Sequence, residues 1–255
     1  MEAELPGEPL PPGAPPVIVP DAAAGRPRTD RWLALLEVCL CSGFPTQLGL
    51  ILLLGAAGIA PAADGQLSLR FVAALSALDS VLIAVLVFAF LRRTGESPRH
   101  VLLGRRPVIA ETGLGLLLLP IVFLVVAVTA LVISRWAPWL HQPENPFADL
   151  LSTRTGLVVF AVIGMVAGGV REELQRAFIL HRSEQYLGGA IVGLVGFSVI
   201  FGLGHLLQGW GAVFITAFLG LFWGLVYLAR RSIIAPVVCH AAFNLVEVVG
   251  FGLLR

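Results

Sequence analysis

Residues 111–134, ETGLGLLLLPIVFLVVAVTALVIS, form the stretch that decides the fold. Between Glu111 and Arg135 no side chain is charged, and the stretch exceeds the roughly 20 apolar residues that a membrane-spanning helix needs. Unpaired peptide groups are costly in hydrocarbon, so a spanning segment of this kind is stable as a helix, whose backbone hydrogen bonds are internal. The stretch therefore predicts a helical membrane protein.

The whole chain supports this prediction. It is 57% hydrophobic and 13% charged, whereas a soluble domain has about 25% charged residues. Six further apolar runs are found at 32–60, 71–91, 156–182, 188–208, 211–229 and 232–253. We expect an all-α, polytopic transmembrane bundle of about seven helices.

The chain is predicted to have three parts. Residues 1–30 are rich in proline and lack an apolar run, which indicates a disordered tail. Residues 31–155 hold the N-terminal transmembrane helices, and residues 156–255 hold a catalytic transmembrane core.

Arginine positions predict the orientation of the bundle, because cytoplasmic loops are enriched in basic residues. Clusters at 26–31, 92–106, 182 and 230–231 fall on one side if the N-terminus is cytoplasmic. The net charge of +1 gives no indication of a nucleic-acid partner. The basic residues are all arginine in an Ala- and Gly-rich chain, a composition that favours a bacterial inner (cytoplasmic) membrane protein.

Three polar stretches lie in the last apolar runs: Arg171-Glu172-Glu173-Leu174-Gln175-Arg176, Phe201-Gly202-Leu203-Gly204-His205 and His240-Ala241-Ala242-Phe243-Asn244. Ionisable residues inside a membrane are expensive and usually functional. A helix rises about 1.5 Å per residue, so Glu172, His205, His240 and Asn244 can lie in one middle layer of the membrane. We expect this layer to be reached from the cytoplasmic side.

Spacing places some of these side chains on common helix faces. Glu172 and Arg176 are four residues apart and are expected to pair, and His240 and Asn244 have the same spacing. Asp79 is a further carboxylate inside an apolar run, without an assigned role.

Two chemistries fit this set. Glu172 and His205 could activate a water molecule while His240 and Asn244 stabilise an oxyanion. Alternatively, Glu172, His205 and His240 could bind a catalytic zinc ion, since two histidines and one glutamate form a known ligand set. The residues alone leave both possibilities open, so the cofactor is either none or zinc.

The order of a Glu-Glu…Arg segment, a Phe-x-x-x-His segment and a His-x-x-x-Asn segment resembles the CPBP intramembrane protease family. That family includes the type II CAAX prenyl proteases and relatives linked to bacteriocin self-immunity. The resemblance covers about residues 156–250. It implies an intramembrane endopeptidase, of glutamate or zinc type, acting on a peptide or membrane-protein substrate in the lipid bilayer.

By resemblance, Glu172 and His205 activate water, His240 and Asn244 form the oxyanion pocket, and Arg176 orients the carboxylates. The family pattern has three residues between the second glutamate and the arginine, whereas two separate Glu173 from Arg176 here. Glu172 falls on a motif glutamate whether the motif is aligned on its glutamates or on its arginine. It is therefore the first candidate for the base, and Glu173 is the second. The resemblance implies either type, and we favour the glutamate type because the candidate zinc ligands also have metal-free roles.

A non-catalytic membrane protein of the same fold is the alternative, as an immunity factor, a scaffold or a transporter. A transporter would be favoured by repeated halves or paired broken helices, and the sequence indicates neither.

Overall fold

The computed structural model describes residues 28–63, 66–140 and 146–253. The predicted disordered tail therefore lies almost entirely outside the described residues. In the described part, α-helices dominate, and a two-residue antiparallel ladder pairs Ala62–Ala63 (β1) with Gln66–Leu67 (β2). The helices are α1 (Arg28–Cys41), α2 (Phe44–Ala56), α3 (Leu69–Arg93), α4 (Pro98–Leu103), α5 (Val108–Trp136), α6 (Arg154–Ile163), α7 (Glu172–Tyr186), α8 (Ala190–Leu203), α9 (Trp210–Arg230) and α10 (Ile234–Leu253).

Four of these helices, α3, α5, α9 and α10, are long and apolar enough to cross a membrane. The pair α1 and α2, bent by 48°, would make a fifth span, and α8 is a shorter apolar helix. The prediction of an all-helical membrane bundle is confirmed, whereas the prediction of about seven spanning helices is not.

The first predicted helix is broken. Gly43 separates α1 from α2 and has a φ of 91°, a left-handed conformation that glycine adopts without steric cost. Pro45 then stands in the first turn of α2, where its missing N–H costs no helical hydrogen bond. The break therefore precedes the proline.

The fourth predicted helix is also interrupted. Residues Gly164–Arg171 between α6 and α7 form a π-helical segment. Insertions of this kind are rare and occur frequently at functional sites, because they turn the following side chains out of the regular α-helical register.

Contacts between connections define the two ends of the bundle. The amide of Ile233 donates to the carbonyl of Leu102 at 2.8 Å, and Arg231 pairs with Glu184 at 2.5 Å. Residues 92–111, 181–190 and 227–235 thus form one end, which we call the arginine-rich end. The opposite end comprises residues 56–69, 136–140, 146–154, 203–210 and 246–253.

A buried ion network closes the arginine-rich end. The side chain of Arg182 is 1% exposed and pairs with Glu37 of α1 and with Glu96, which precedes α4. Glu96 also lies 2.5 Å from His181 Nε2, and Arg93 pairs with Glu37 at 2.5 Å. The network ties α1, the α3–α4 connection and α7 together.

Candidate active site

Small residues on the π-helical segment allow α10 to approach closely. A Cβ added to Gly169 would lie 2.6 Å from Ala241 Cβ, and one added to Gly164 would lie 3.2 Å from Asn244 Cβ. A Cβ added to Gly168 would lie closer still to its neighbour, the amide nitrogen of Asn244. Because Gly168 and Gly169 have no side chains, α10 can lie against the start of α7.

Glu173 is the buried member of the glutamate pair. Its side chain is 1% exposed, and its carboxylate pairs with Arg176 and lies 2.8 Å from His240 Nδ1. The expected pairing of Glu172 with Arg176 is therefore wrong: the arginine pairs with the glutamate three residues earlier.

Arg176 lies among aromatic rings. Its guanidinium carbon is 4.8 Å from the centroid of Phe201, 5.6 Å from that of Phe197 and 5.7 Å from that of Trp223. A desolvated cation over aromatic faces gains about 2 kcal/mol or more. The rings and Glu173 thus hold a charge that the apolar surroundings would otherwise disfavour.

Glu172 has a different environment from its neighbour. Its side chain is 18% exposed, and its Oε2 lies 3.8 Å from His240 Nε2, beyond hydrogen-bond distance. The carboxylate lines a cavity of about 870 Å³ together with His205, His240 and Asn244. Of the two glutamates, Glu172 is the one that a ligand in this cavity can contact.

His205 lies just beyond the end of α8, not on the helix as the sequence predicted. Its Nδ1 is 3.0 Å from the carbonyl oxygen of Phe201, and its ring meets the Phe201 ring edge-on at 5.1 Å. Since a carbonyl only accepts, Nδ1 carries the proton, and in the neutral ring Nε2 is an acceptor.

His240 and Asn244 share one face of α10, as their spacing predicted. The His240 ring stacks on Trp223 at 3.6 Å between centroids, with 14° between the planes. The Asn244 amide donates to the carbonyl of Gly164 at 2.8 Å, which uses one of its two N–H groups. Stacking and hydrogen bonding fix both side chains at the cavity wall.

Arg171 and Asp79 are site residues whose roles the sequence did not assign. They form a buried ion pair beside Glu172, and Thr46 Oγ1 donates to Asp79 at 2.9 Å. Both line the cavity. The available signal was that a carboxylate within a spanning helix requires a partner, but nothing in the sequence identified which arginine it would be.

Trp223, which orients His240, was also missed. Tryptophan in membrane helices is usually found at the interfaces, so its place in the middle of the apolar run that became α9 was an available signal.

The cavity extends toward the opposite end of the bundle. Its wall continues from the site residues through Phe160 of α6 and Thr216 of α9 to Phe147, Leu151 and Phe251. The sequence predicted that the site is reached from the arginine-rich side, and the position of the cavity contradicts this.

The structure also tests the alternative zinc set. The described residues contain no group of three His, Cys, Asp or Glu side chains placed to hold a metal ion. Nδ1 of His240 faces Glu173 and Nδ1 of His205 faces a carbonyl, which leaves only Nε2 of each ring for other contacts. Glu172, His205 and His240 line one cavity but do not form a ligand sphere.

One comparison with known proteins identifies a related family. Residues 154–246 match the family model described as Type II CAAX prenyl endopeptidase Rce1-like. This range includes all six predicted site residues and confirms the resemblance stated from the motifs. No curated protein and no solved structure matches the chain.

Proposed function

We propose that this chain, whose residues 154–246 belong to the Rce1-like family of type II CAAX prenyl endopeptidases, hydrolyses peptide bonds by water activated at Glu172 and His205. The family match and the four apolar helices support a CAAX protease-type integral membrane protein. The observation that carries the proposal is that Glu172, His205, His240 and Asn244, from three separate segments, line one cavity.

In the proposed mechanism, a water molecule lies between the Glu172 carboxylate and Nε2 of His205. Glu172 takes a proton from this water as its oxygen attacks the carbonyl carbon of the peptide. General-base catalysis of this kind contributes roughly 10²–10⁴-fold to the rate. The proton passes from Glu172 to the leaving nitrogen when the C–N bond breaks, which regenerates the carboxylate.

The carbonyl oxygen becomes an oxyanion during this attack and needs hydrogen-bond donors. Asn244 retains one N–H after its bond to Gly164. A protonated His240 donates from Nε2, while its Nδ1–H stays bound to Glu173 and its ring stays on Trp223. Loss of one such donor typically costs about 10²–10³-fold in kcat.

Glu173 and Arg176 have a supporting role in this proposal. Both are buried, and Glu173 joins Arg176 to His240. They orient the histidine but do not touch the peptide. The substrate is a peptide or a membrane-protein segment, and the composition favours a bacterial inner membrane as the location.

The test is peptide cleavage by the purified full chain in nanodiscs, with a fluorogenic CAAX-type peptide and a library of membrane peptides. Glu172→Gln is compared with Glu247→Gln, a glutamate that lines the same cavity outside the proposed machinery. We expect Glu172→Gln to lose about 10²-fold or more in kcat, and Glu247→Gln to retain activity.

Unchanged cleavage by Glu172→Gln would refute the assignment of the base. If the wild type cleaves none of the peptides, the result supports the alternative, a non-catalytic protein of the same fold.

A further inference from the structure

The cavity wall is formed from one half of the bundle. Beyond the site residues, it includes Leu75 of α3 and Val126 of α5, and it ends at Phe147, Gln208 and Phe251. None of its described lining residues comes from the arginine-rich end. The cavity thus leads from Glu172 toward the opposite end.

A packed apolar core fills the bundle between Glu172 and the arginine-rich end. Phe178 and Leu180 of α7, Ile83 and Leu91 of α3, and the buried Cys41 of α1 belong to one cluster and are each 0% exposed. The ion network around Arg182 closes the bundle beyond them. A peptide has no passage to Glu172 from this side, since protein interiors are close-packed.

The distribution of arginine identifies which end faces the cytoplasm. Arginines cluster at the cytoplasmic ends of membrane helices. The arginine-rich end carries Arg92, Arg93, Arg99, Arg105, Arg106, Arg182, Arg230 and Arg231. The described part of the opposite end and the helix turns next to it carry Arg70, Arg135 and Arg154.

We infer that the cavity opens on the non-cytoplasmic side of the membrane, and that the site takes apolar peptide segments presented from that side. This deepens the proposed function by naming the substrate class: a segment of an exported or membrane-embedded protein, not a tail that stays in the cytoplasm. Phe147, Phe160 and Phe243 supply apolar contacts along the path to Glu172.

The test is labelling of single cysteines by a membrane-impermeant thiol reagent in intact and permeabilised spheroplasts. The background is the full chain with Cys39→Ala, because Cys39 is exposed while Cys41 and Cys239 are buried. Two exposed serines are matched probes: Ser97→Cys at the arginine-rich end and Ser152→Cys at the opposite end. Ala212→Cys probes the cavity wall.

We expect Ser152→Cys and Ala212→Cys to react in intact spheroplasts, and Ser97→Cys to react only after permeabilisation. The reverse pattern would overturn the inference, as would an Ala212→Cys that reacts only after permeabilisation.

Labelling needs no activity, so it separates this inference from the proposed function. A peptide that the purified protein cleaves is then added to intact spheroplasts. Cleavage without permeabilisation supports the inference, and cleavage only after permeabilisation overturns it. If the purified protein cleaves no peptide, the proposed function fails while the labelling still determines where the cavity opens.

Discussion

Arg171, the last residue of the π-helical segment, forms a buried ion pair with Asp79 of α3. Gly43 makes room for this guanidinium, since a Cβ there would lie 2.6 Å from Arg171 Nη2. Asp79 and Gly43 lie outside residues 154–246, the segment that matches the family. The N-terminal helices thus complete the surroundings of Glu172 and neutralise the arginine that precedes it in the chain.

Replacing Asp79 with asparagine is expected to destabilise the protein by about 3–5 kcal/mol, because it leaves the buried charge of Arg171 without a counter-charge. The measurement is thermal unfolding in detergent. Glu184→Gln is the control, since it breaks the exposed pair with Arg231 and should cost about 1 kcal/mol or less. Equal effects of the two changes would show that the Asp79–Arg171 pair is not a buried stabilising contact.

Glu172 and Glu173 are expected to respond differently to the same change. Glu173→Gln should lower the unfolding temperature, because Arg176 loses the carboxylate that pairs with its buried guanidinium. Glu172→Gln should leave the unfolding temperature close to that of the wild type while removing cleavage, since Glu172 has no hydrogen-bonded partner at His240. If Glu172→Gln lowered the unfolding temperature and Glu173→Gln did not, our assignment of the two roles would be reversed.

Gly168→Ala is expected to reduce kcat by roughly 10²-fold, the cost of displacing a positioned group by about 1 Å. The added Cβ would meet the Asn244 amide and push it from the cavity wall. Gly196→Ala is the matched control, because a Cβ there has nothing within 4 Å. Full activity in Gly168→Ala would contradict the proposed role of Asn244.

Stability is expected to fall in acid through Glu96, which lies between α3 and α4. Burial raises the pKa of this carboxyl, but hydrogen bonds from His181, Arg182, Thr94 and Gln185 outweigh burial and lower the pKa well below its usual 4.5. The stabilisation is therefore complete above pH 4.5 and is lost as the pH falls toward the lowered pKa.

Unfolding temperatures measured between neutral and acidic pH check this prediction. Glu96→Gln, which does not titrate, should be less stable at neutral pH and should show a smaller loss in acid. If Glu96→Gln lost as much stability in acid as the wild type, the loss would be due to other titrating groups.

Chelators are expected to leave cleavage intact, because Glu172, His205 and His240 do not form a ligand sphere in the described structure. Activity is compared before and after treatment with EDTA or o-phenanthroline. If the chelator abolished cleavage and added zinc restored it, the result would support a zinc site at these three residues.

Several features followed from the sequence by itself. Long uncharged runs such as 112–134 require helices in a bilayer, because each peptide group must be hydrogen-bonded within its own segment. The fixed spacing of His240 and Asn244 requires a shared helix face. Glu172, His205 and His240 were recognisable as site candidates because ionisable groups inside a membrane are costly.

Other features depended on the tertiary structure, because they join residues far apart in the chain. Arg176 pairs with Glu173 instead of Glu172, and this choice follows from the aromatic rings and His240 packed around them. Local spacing permits both pairings, so the sequence could not separate the buried glutamate from the one at the cavity. The pairing of Arg171 with Asp79 and the direction of the cavity were likewise decided by how α3, α7 and α10 pack.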